Sequence, residues 1–316
     1  MSAAPETVDV LVAGEYFCDL IFAGLDGLPR LGQEHFAGAL TVRPGGCYNM
    51  ALALHRLGIK TAWAADFGTD IFSRIVLEAA ARDGLNTVAF NRIDDSVQRV
   101  SAAFSQGGER GFISYSETAV RAPSPRLLER VRPKWLLQSF RFDPDWLAFV
   151  AAARGCGSTV FVDCRDGDFD LGTPGVRELL SLADVFSPNE AEALALTRTR
   201  DVESALDALA PLVPAVLVKR GERGARGLDR GRRFDVPAPV VTVVDTIGAG
   251  DAFNAGFLAG AVWESAFAEC ARLAVACGTL STTGPGSSAT PDAKTLSAFT
   301  ARLGEPVPQA CAALAS

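Results

Sequence analysis

In the run VVTVVDTIGAGDAFNAGFLAGAV, residues 240–262, a carboxylate follows directly on a Gly-Ala-Gly turn. The β-branched residues before the turn favour a strand and those after it read as a helix, so Gly248, Ala249, Gly250 and Asp251 fall at a strand-to-helix junction. Glycines there let successive backbone N–H groups converge at a helix N-terminus, where the aligned peptide dipoles favour an anion. An acid beside a bound phosphate repels it, so the carboxylate needs a purpose. A general base supplies one: Asp251 takes the proton from an attacking hydroxyl while the N–H groups of residues 248–250 hold the phosphoryl group being transferred. The ordinary alternative is an acid that only caps the helix from its first turn. Downstream, Ala252, Ala255, Gly256, Ala259 and Gly260 leave so little bulk that the helix can pack very close to a neighbour.

The rest of the chain bears on that choice. DTIGAGDAFNAG, residues 245–256, resembles the C-terminal signature D-T-x-G-A-G-D-x-F-x-x-G of the ribokinase-like, or PfkB, family of sugar and nucleoside kinases. The family's Gly-Gly turn before a helix is matched by Pro44-Gly45-Gly46-Cys47-Tyr48-Asn49. Its substrate-gripping acid at the end of the first strand is matched by Asp19 in GEYFCDL, and its Asn-x-x-Glu motif by Asn189-Glu190-Ala191-Glu192 in SPNEAEAL. A strand and Gly-rich turn of the nucleotide site are matched by VLVKRGERGARG, with Lys219, Gly221 and Gly224 as the nucleotide-side positions. Five motifs stand in the family's order between Gly14 and Gly256.

By that resemblance Asp251 is the catalytic base, residues 248–250 form the anion hole, and Asp19, Gly45, Gly46 and Asn49 bind the acceptor. The resemblance further implies ATP as co-substrate and Mg2+ placed indirectly by Asn189 and Glu192. Asp245 and Thr246 match positions that in many members hold a monovalent cation such as K+. Asn189 and Glu192 also fit an ordinary capped helix start, since S-P-N-E precedes an apolar helix. Ile247 replaces a common Thr without disturbing the backbone pattern, and Cys47 and Tyr48 are larger than the residues usual in the GG-x-x-N gap, so the acceptor is not carried over. The stretch ACGTLSTTGPGSSATP matches the adenine side only loosely, and no base-reading residue is assigned there.

The elements that must position these residues read as α/β. Short apolar runs at residues 8–13, 61–65, 135–138, 159–163, 185–187 and 216–219 alternate with helix-length segments such as 49–57 and 73–82. Alternation of this kind implies a doubly wound, mainly parallel sheet flanked by helices. Residues 21–43 and 98–115 break the pattern and read as a small β-sheet lid, the second with a hairpin turn at Gly107-Gly108. Residues 225–236 read as a further hairpin turning at 229–231. No repeat or linker divides the chain, so residues 1–316 are expected to form one domain with a lid whose exposed edges and apolar face favour a homodimer, as the resemblance also implies.

Bulk composition closes several routes. With 48% hydrophobic and 21% charged residues the chain is expected to fold around a sizeable core. Its 30 basic and 37 acidic residues give a net charge of -7, with no basic run interleaved with aromatics, so nucleic acid is not an expected partner. The seven cysteines, Cys18, Cys47, Cys156, Cys164, Cys270, Cys277 and Cys311, show no C-x-x-C spacing and read as reduced thiols. The start MSAAPETVDV has no signal-like core and no run reaches membrane-spanning length, which points to a cytoplasmic protein. There is no G-x-x-x-x-G-K-[ST] loop, Asp66-Phe67-Gly68 lacks the other protein-kinase motifs, and the late Gly248-Ala249-Gly250 does not make a dinucleotide fingerprint. His35 and His55 have no metal-ligand spacing. The readings left open are a sugar kinase, a nucleoside kinase, and a sugar- or nucleotide-sensing protein without turnover.

Overall fold

A computed structural model describes residues 4–25, 27, 30–106, 109–284 and 289–315. The chain starts as β1 (Glu6–Ala13), departs through β2 (Tyr16–Ala23) and β3 (Ala39–Gly46), and returns through α1 (Cys47–Arg56), β4 (Thr61–Phe67), α2 (Ile71–Arg82) and β5 (Phe90–Arg92). It departs again as β6 (Arg99–Gln106) and β7 (Glu109–Ser116). From β8 (Val131–Ser139) the alternation is regular through α3 (Pro144–Gly155), β9 (Thr159–Asp163), α4 (Val176–Leu182), β10 (Val185–Ser187), α5 (Glu190–Thr197), α6 (Val202–Leu209) and β11 (Ala215–Lys219). The hairpin of β12 (Ala225–Asp229) and β13 (Arg232–Val236) follows, then α7 (Ala249–Val262), α8 (Phe267–Ser281), α9 (Ala293–Arg302) and α10 (Gln309–Ala315).

Nine strands form one sheet in the order β13-β12-β11-β10-β9-β8-β1-β4-β5, parallel except for the β11–β12 and β12–β13 pairs. Side chains of β1 alternate between two cores, as a pleated strand covered on both faces requires. Val10 and Val12 join the core under α1, α7 and α8, with Trp63, Phe253 and Leu273. Leu11 and Ala13 join the opposite core, with Trp146, Phe149, Leu179 and Leu206 from α3, α4 and α6. The strand order reverses between β8 and β1, and at such a switch point the carboxyl ends of neighbouring strands open a crevice.

The second sheet has the order β3-β2-β6-β7, with β2 parallel to β6 and the other pairs antiparallel. It spans more of the chain than the expected 21–43 and 98–115, since β2 begins at Tyr16 and β3 runs to Gly46. Tyr16 and Cys18 are fully buried while Phe17 and Asp19 are not, an alternation that hides within the apolar run on both sides of Gly14. Asp19 therefore lies inside β2 and not at the end of the first strand. The expected turn at Gly107-Gly108 lies outside the described residues. Helices α1 and α2 begin two residues before the expected starts, α2 being capped by Asp70, whose carboxylate accepts the Ser73 N–H at 2.9 Å.

The bulk-free face of α7 meets α8. A Cβ on Gly256 would lie 2.6 Å from the Leu273 carbonyl oxygen, and one on Gly260 would lie 3.1 Å from Cys270 Cα. The residues of α7 from Ala252 to Gly260 are all buried, and this seam holds the helix that carries Asp251. Among the described residues no helix is long and apolar enough to cross a membrane.

Candidate active site

The two chain excursions bring together the residues expected on the acceptor side. Asp19 on β2 pairs with Arg43 on β3, and its carboxylate lies over Gly45, where a Cβ would come within 2.0 Å of Asp19 Oδ2. Gly46 adopts φ 63, and a Cβ there would lie 2.8 Å from the Glu15 carbonyl oxygen. That oxygen accepts the Cys47 N–H at 2.9 Å, so the end of β3 is pressed against the β1–β2 connection as α1 begins. Asn49, in the first turn of α1, is buried and donates from Nδ2 to Asp251 Oδ2 at 3.2 Å. Its Oδ1 has no partner among the described residues. Burial pushes the Asp19 carboxyl up to about 6, against the opposing pull of Arg43.

Gly248 holds the N-cap of α7 at φ 77, and no side chain caps the helix. Residues 240–247 form no strand, so the expected strand-to-helix junction is a loop-to-helix junction, and the left-handed conformation at its end is one that glycine takes freely. Of the expected donors, the Ala249 N–H turns to the Thr246 carbonyl at 3.3 Å. Asp251 stands in the first turn. Burial pushes its carboxyl up to about 7, Asp163 adds to the rise, and the Asn49 hydrogen bond and Lys219 oppose it. Lys219 Nζ donates to Asp163 Oδ1 at 2.7 Å, and a Cβ on Gly250 would sit 3.7 Å from that ammonium. A carboxylate tuned to neutrality, a paired lysine and an uncapped helix N-terminus thus converge at the carboxyl ends of β9 and β11.

From this point a cleft of about 810 Å³ opens between α7, α8 and the β11–β13 hairpin. Lys219, Gly221, Gly224, Asn189, Glu192, Thr246 and residues 248–251 all line it. Gly221 opens a single 3-10 turn at φ 56, and Gly224, at φ 79, packs so close that a Cβ would lie 2.0 Å from the Val236 carbonyl oxygen. Asn189 and Glu192 form a reciprocal capping box on α5: Asn189 Oδ1 accepts the Glu192 N–H at 2.9 Å, and Glu192 Oε2 accepts the Asn189 N–H at 2.7 Å. They cap the helix and face the cleft at once. Burial raises the Glu192 carboxyl, with Lys219 pulling it down. Asp245 is turned to the backbone, its Oδ1 accepting the Ile247 N–H at 2.9 Å, whereas Thr246 reaches the cleft.

Two features of the site had no place in the sequence reading. Asp163 lines the cleft and pairs with Lys219. Its signal was present, an acid ending an apolar parallel strand, which is where α/β ligand sites gather. The other is an apolar wall of Val240, Val241, Val243 and Val275 along the cleft, with Val240 and Val243 exposed to solvent. Among the described residues no three His, Cys, Asp or Glu side chains are grouped to hold a metal. The carboxylates of Asp163 and Glu192, both lining this cleft, fit Mg2+ held chiefly through phosphate and water, its usual manner with nucleotides.

A family model described as pfkB family carbohydrate kinase matches residues 9–294. A ribokinase of Haemophilus influenzae is 27% identical over 249 residues, covering 75% of this chain and 80% of the relative. A fructokinase of Klebsiella pneumoniae is 30% identical over 287 residues, covering 79% of this chain and 89% of the relative. Among solved structures, the ribokinase of Arabidopsis thaliana complexed with ribose and ATP superposes with a TM-score of 0.79 at 23% identity, over 93% of this chain and 98% of the other. At that identity the likeness is one of fold.

Proposed function

Because the chain belongs to the pfkB family of carbohydrate kinases, we propose that it transfers the γ-phosphoryl group of ATP to a hydroxymethyl group of a small sugar or sugar-like acceptor. The observation that carries this reading is the position of Asp251, which hydrogen-bonds Asn49 on the acceptor side and opens the nucleotide cleft on the other. A base must reach the hydroxyl it activates while the phosphoryl group is held in line.

Asp19 and Asn49 orient the acceptor, with Gly45 and Gly46 letting the backbone approach it. Asp251 accepts the hydroxyl proton as the oxygen attacks, and the N–H groups of Gly248 and Gly250 hold the charge on the phosphoryl oxygens, the Ala249 N–H being turned to Thr246. Lys219, tied to Asp163, adds a fixed positive charge. Gly221 and Gly224 shape the turn beneath the nucleotide, and the valine wall suits the flat face of its base. Magnesium, held by the phosphates and by Asn189 and Glu192 through water, would neutralise phosphate charge. Thr246 and the turn fixed by Asp245 are the place for a monovalent cation. The small sheet acts as a lid that covers the acceptor and excludes water, which otherwise competes for the phosphoryl group. Seven free thiols, six of them buried, suit a cytoplasmic protein.

A screen of sugars and nucleosides for acceptor-dependent ADP release tests the reading. For the acceptor found, Asp251→Asn should lower kcat at least about 100-fold, while ATP affinity by calorimetry stays level or improves because a negative charge beside the phosphates is gone. A variant keeping more than roughly a tenth of kcat, with chemistry rate-limiting, would exclude a general base of ordinary strength. Phosphorylation of nucleosides alone would make the protein a nucleoside kinase, and binding without transfer to any acceptor would make it a sensor.

A further inference from the structure

A second cavity, of about 330 Å³, lies at the carboxyl ends of β1, β4 and β5, beneath residues 120–130, and shares no lining residue with the nucleotide cleft. Its volume is at the lower end for small-molecule sites. Arg99 lines it and is 1% exposed. The Arg99 guanidinium donates from Nη1 to the Asp66 carbonyl oxygen at 3.3 Å and lies 5.7 Å from the centroid of the Tyr16 ring. Its Nε and Nη2 have no hydrogen-bond partner among the described residues. A cation held this deep without a carboxylate is costly, and the cost is relieved by an anion. On the same cavity, Glu15 gives one oxygen to Arg141 and leaves Oε2 buried without a partner. Asp66 is engaged by Asn91, whose Nδ2 donates to Oδ1 at 2.8 Å. Arg121, Arg126 and Arg130 complete the lining, so guanidinium groups outnumber carboxylates.

We propose that this cavity is a second ligand site, taking a small hydroxylated anion whose charge pairs with Arg99 and whose hydroxyl donates to Glu15 Oε2. A phosphate monoester and a hydroxy acid share that chemistry. An apolar ligand satisfies neither orphaned group, and a neutral polyol meets their hydrogen bonds but leaves the buried Arg99 charge unpaired. The site also sits at the root of the small sheet, because Glu15 joins β1 to β2 and Arg99 opens β6. A ligand spanning the two ties this sheet to the core. Resting on the sugar-kinase reading above, occupancy changes the KM for the acceptor.

Calorimetric titration of the whole protein with glycerol 3-phosphate, glycerate and neutral glycerol tests the site without needing turnover, so its outcome is independent of whether the kinase reading holds. At least one of the two anions should bind and glycerol should not, and the tighter anion identifies phosphate or carboxylate as the group recognised. Arg99→Met, which removes the charge and keeps an unbranched side chain in the buried position, should weaken binding by at least about tenfold, equivalent to about 1.4 kcal/mol, whereas Asp19→Ala should leave it unchanged. Should Arg99→Met fail to fold, Arg126→Ala on the rim should weaken binding several-fold with an unchanged Tm. No heat at several millimolar, binding untouched by the arginine substitutions, or binding abolished by Asp19→Ala would each overturn the site. Binding that leaves the acceptor KM unmoved would overturn its coupling to the small sheet.

Discussion

At the scale of residues, Asp251 carries opposite consequences for catalysis and for stability. A base must be ionised to work, and burial with Asp163 nearby holds this one at about 7. The logarithm of kcat/KM, which reports the free enzyme, should therefore rise with pH and level off above about 7, and a profile flat between about pH 5 and 8 would remove Asp251 as the base. The folded carboxyl keeps its proton to a higher pH than the unfolded one, whose value is about 4. Stability is therefore lost as pH rises from about 4 through about 7, and Asp251→Asn should raise Tm at about pH 8 more than at about pH 4. Glu192 presents a different separation of roles. Gln can occupy the same position of a capping box, so Glu192→Gln should leave Tm nearly unchanged while raising the magnesium concentration for half-maximal rate. An unaltered magnesium requirement would leave Glu192 as a helix cap alone. The residues around Asp251 stood out in the sequence because two glycines and an acid fall together within residues 248–251 at a helix start, a grouping that matched a family signature as a whole. Asp163 and the valine wall were not, because a strand-ending acid and a β-branched run are common and gain meaning only when distant segments face one another.

At the scale of elements, Gly45 shows how a strand end sets the position of the Asp19 carboxylate. Its φ is not in the left-handed region, so alanine fits the backbone, but the added methyl would stand 2.0 Å from Asp19 Oδ2. The carboxylate has to move, and a misplaced positioning group costs rate steeply. Gly45→Ala should raise the acceptor KM by about tenfold or more while ATP affinity is unchanged, measured by initial rates and calorimetry respectively. Equal KM values would mean that Asp19 does not grip the acceptor. The parallel strands other than β5, whose Phe90–Arg92 run is short and mostly polar, and the β12–β13 hairpin were readable from apolar runs of strand length with turn residues between them. The start of β2 was not, because Gly14 and Glu15 interrupt a run that is apolar on both sides, and only pairing with β3 and β6 reveals a change of sheet.

At the scale of the molecule, the small sheet presents Leu40, Val42, Ile113 and Tyr115 on one face, exposed at 57%, 43%, 70% and 54%. Their pairing partners Phe22, Leu20, Ala102 and Val100 lie on that same side. A continuous apolar face of this kind, edged by β3 and β7, favours a second copy of the chain as its cover. Sedimentation at tens of micromolar should give a dimer for the natural chain and a monomer for Val42→Asp/Ile113→Asp, and a monomeric natural chain would remove the idea. The hydrogen bond from Asn49 to Asp251 has a further consequence, since it joins residues separated by 202 positions. During synthesis Asp19 and Asn49 emerge first, and Asp251 joins them only after β11 to β13 have followed and α7 has packed on α8. Contacts so distant in sequence form late and slowly. On dilution from denaturant, helical content should recover ahead of turnover, and a nascent chain should gain catalytic competence only near the end of its translation.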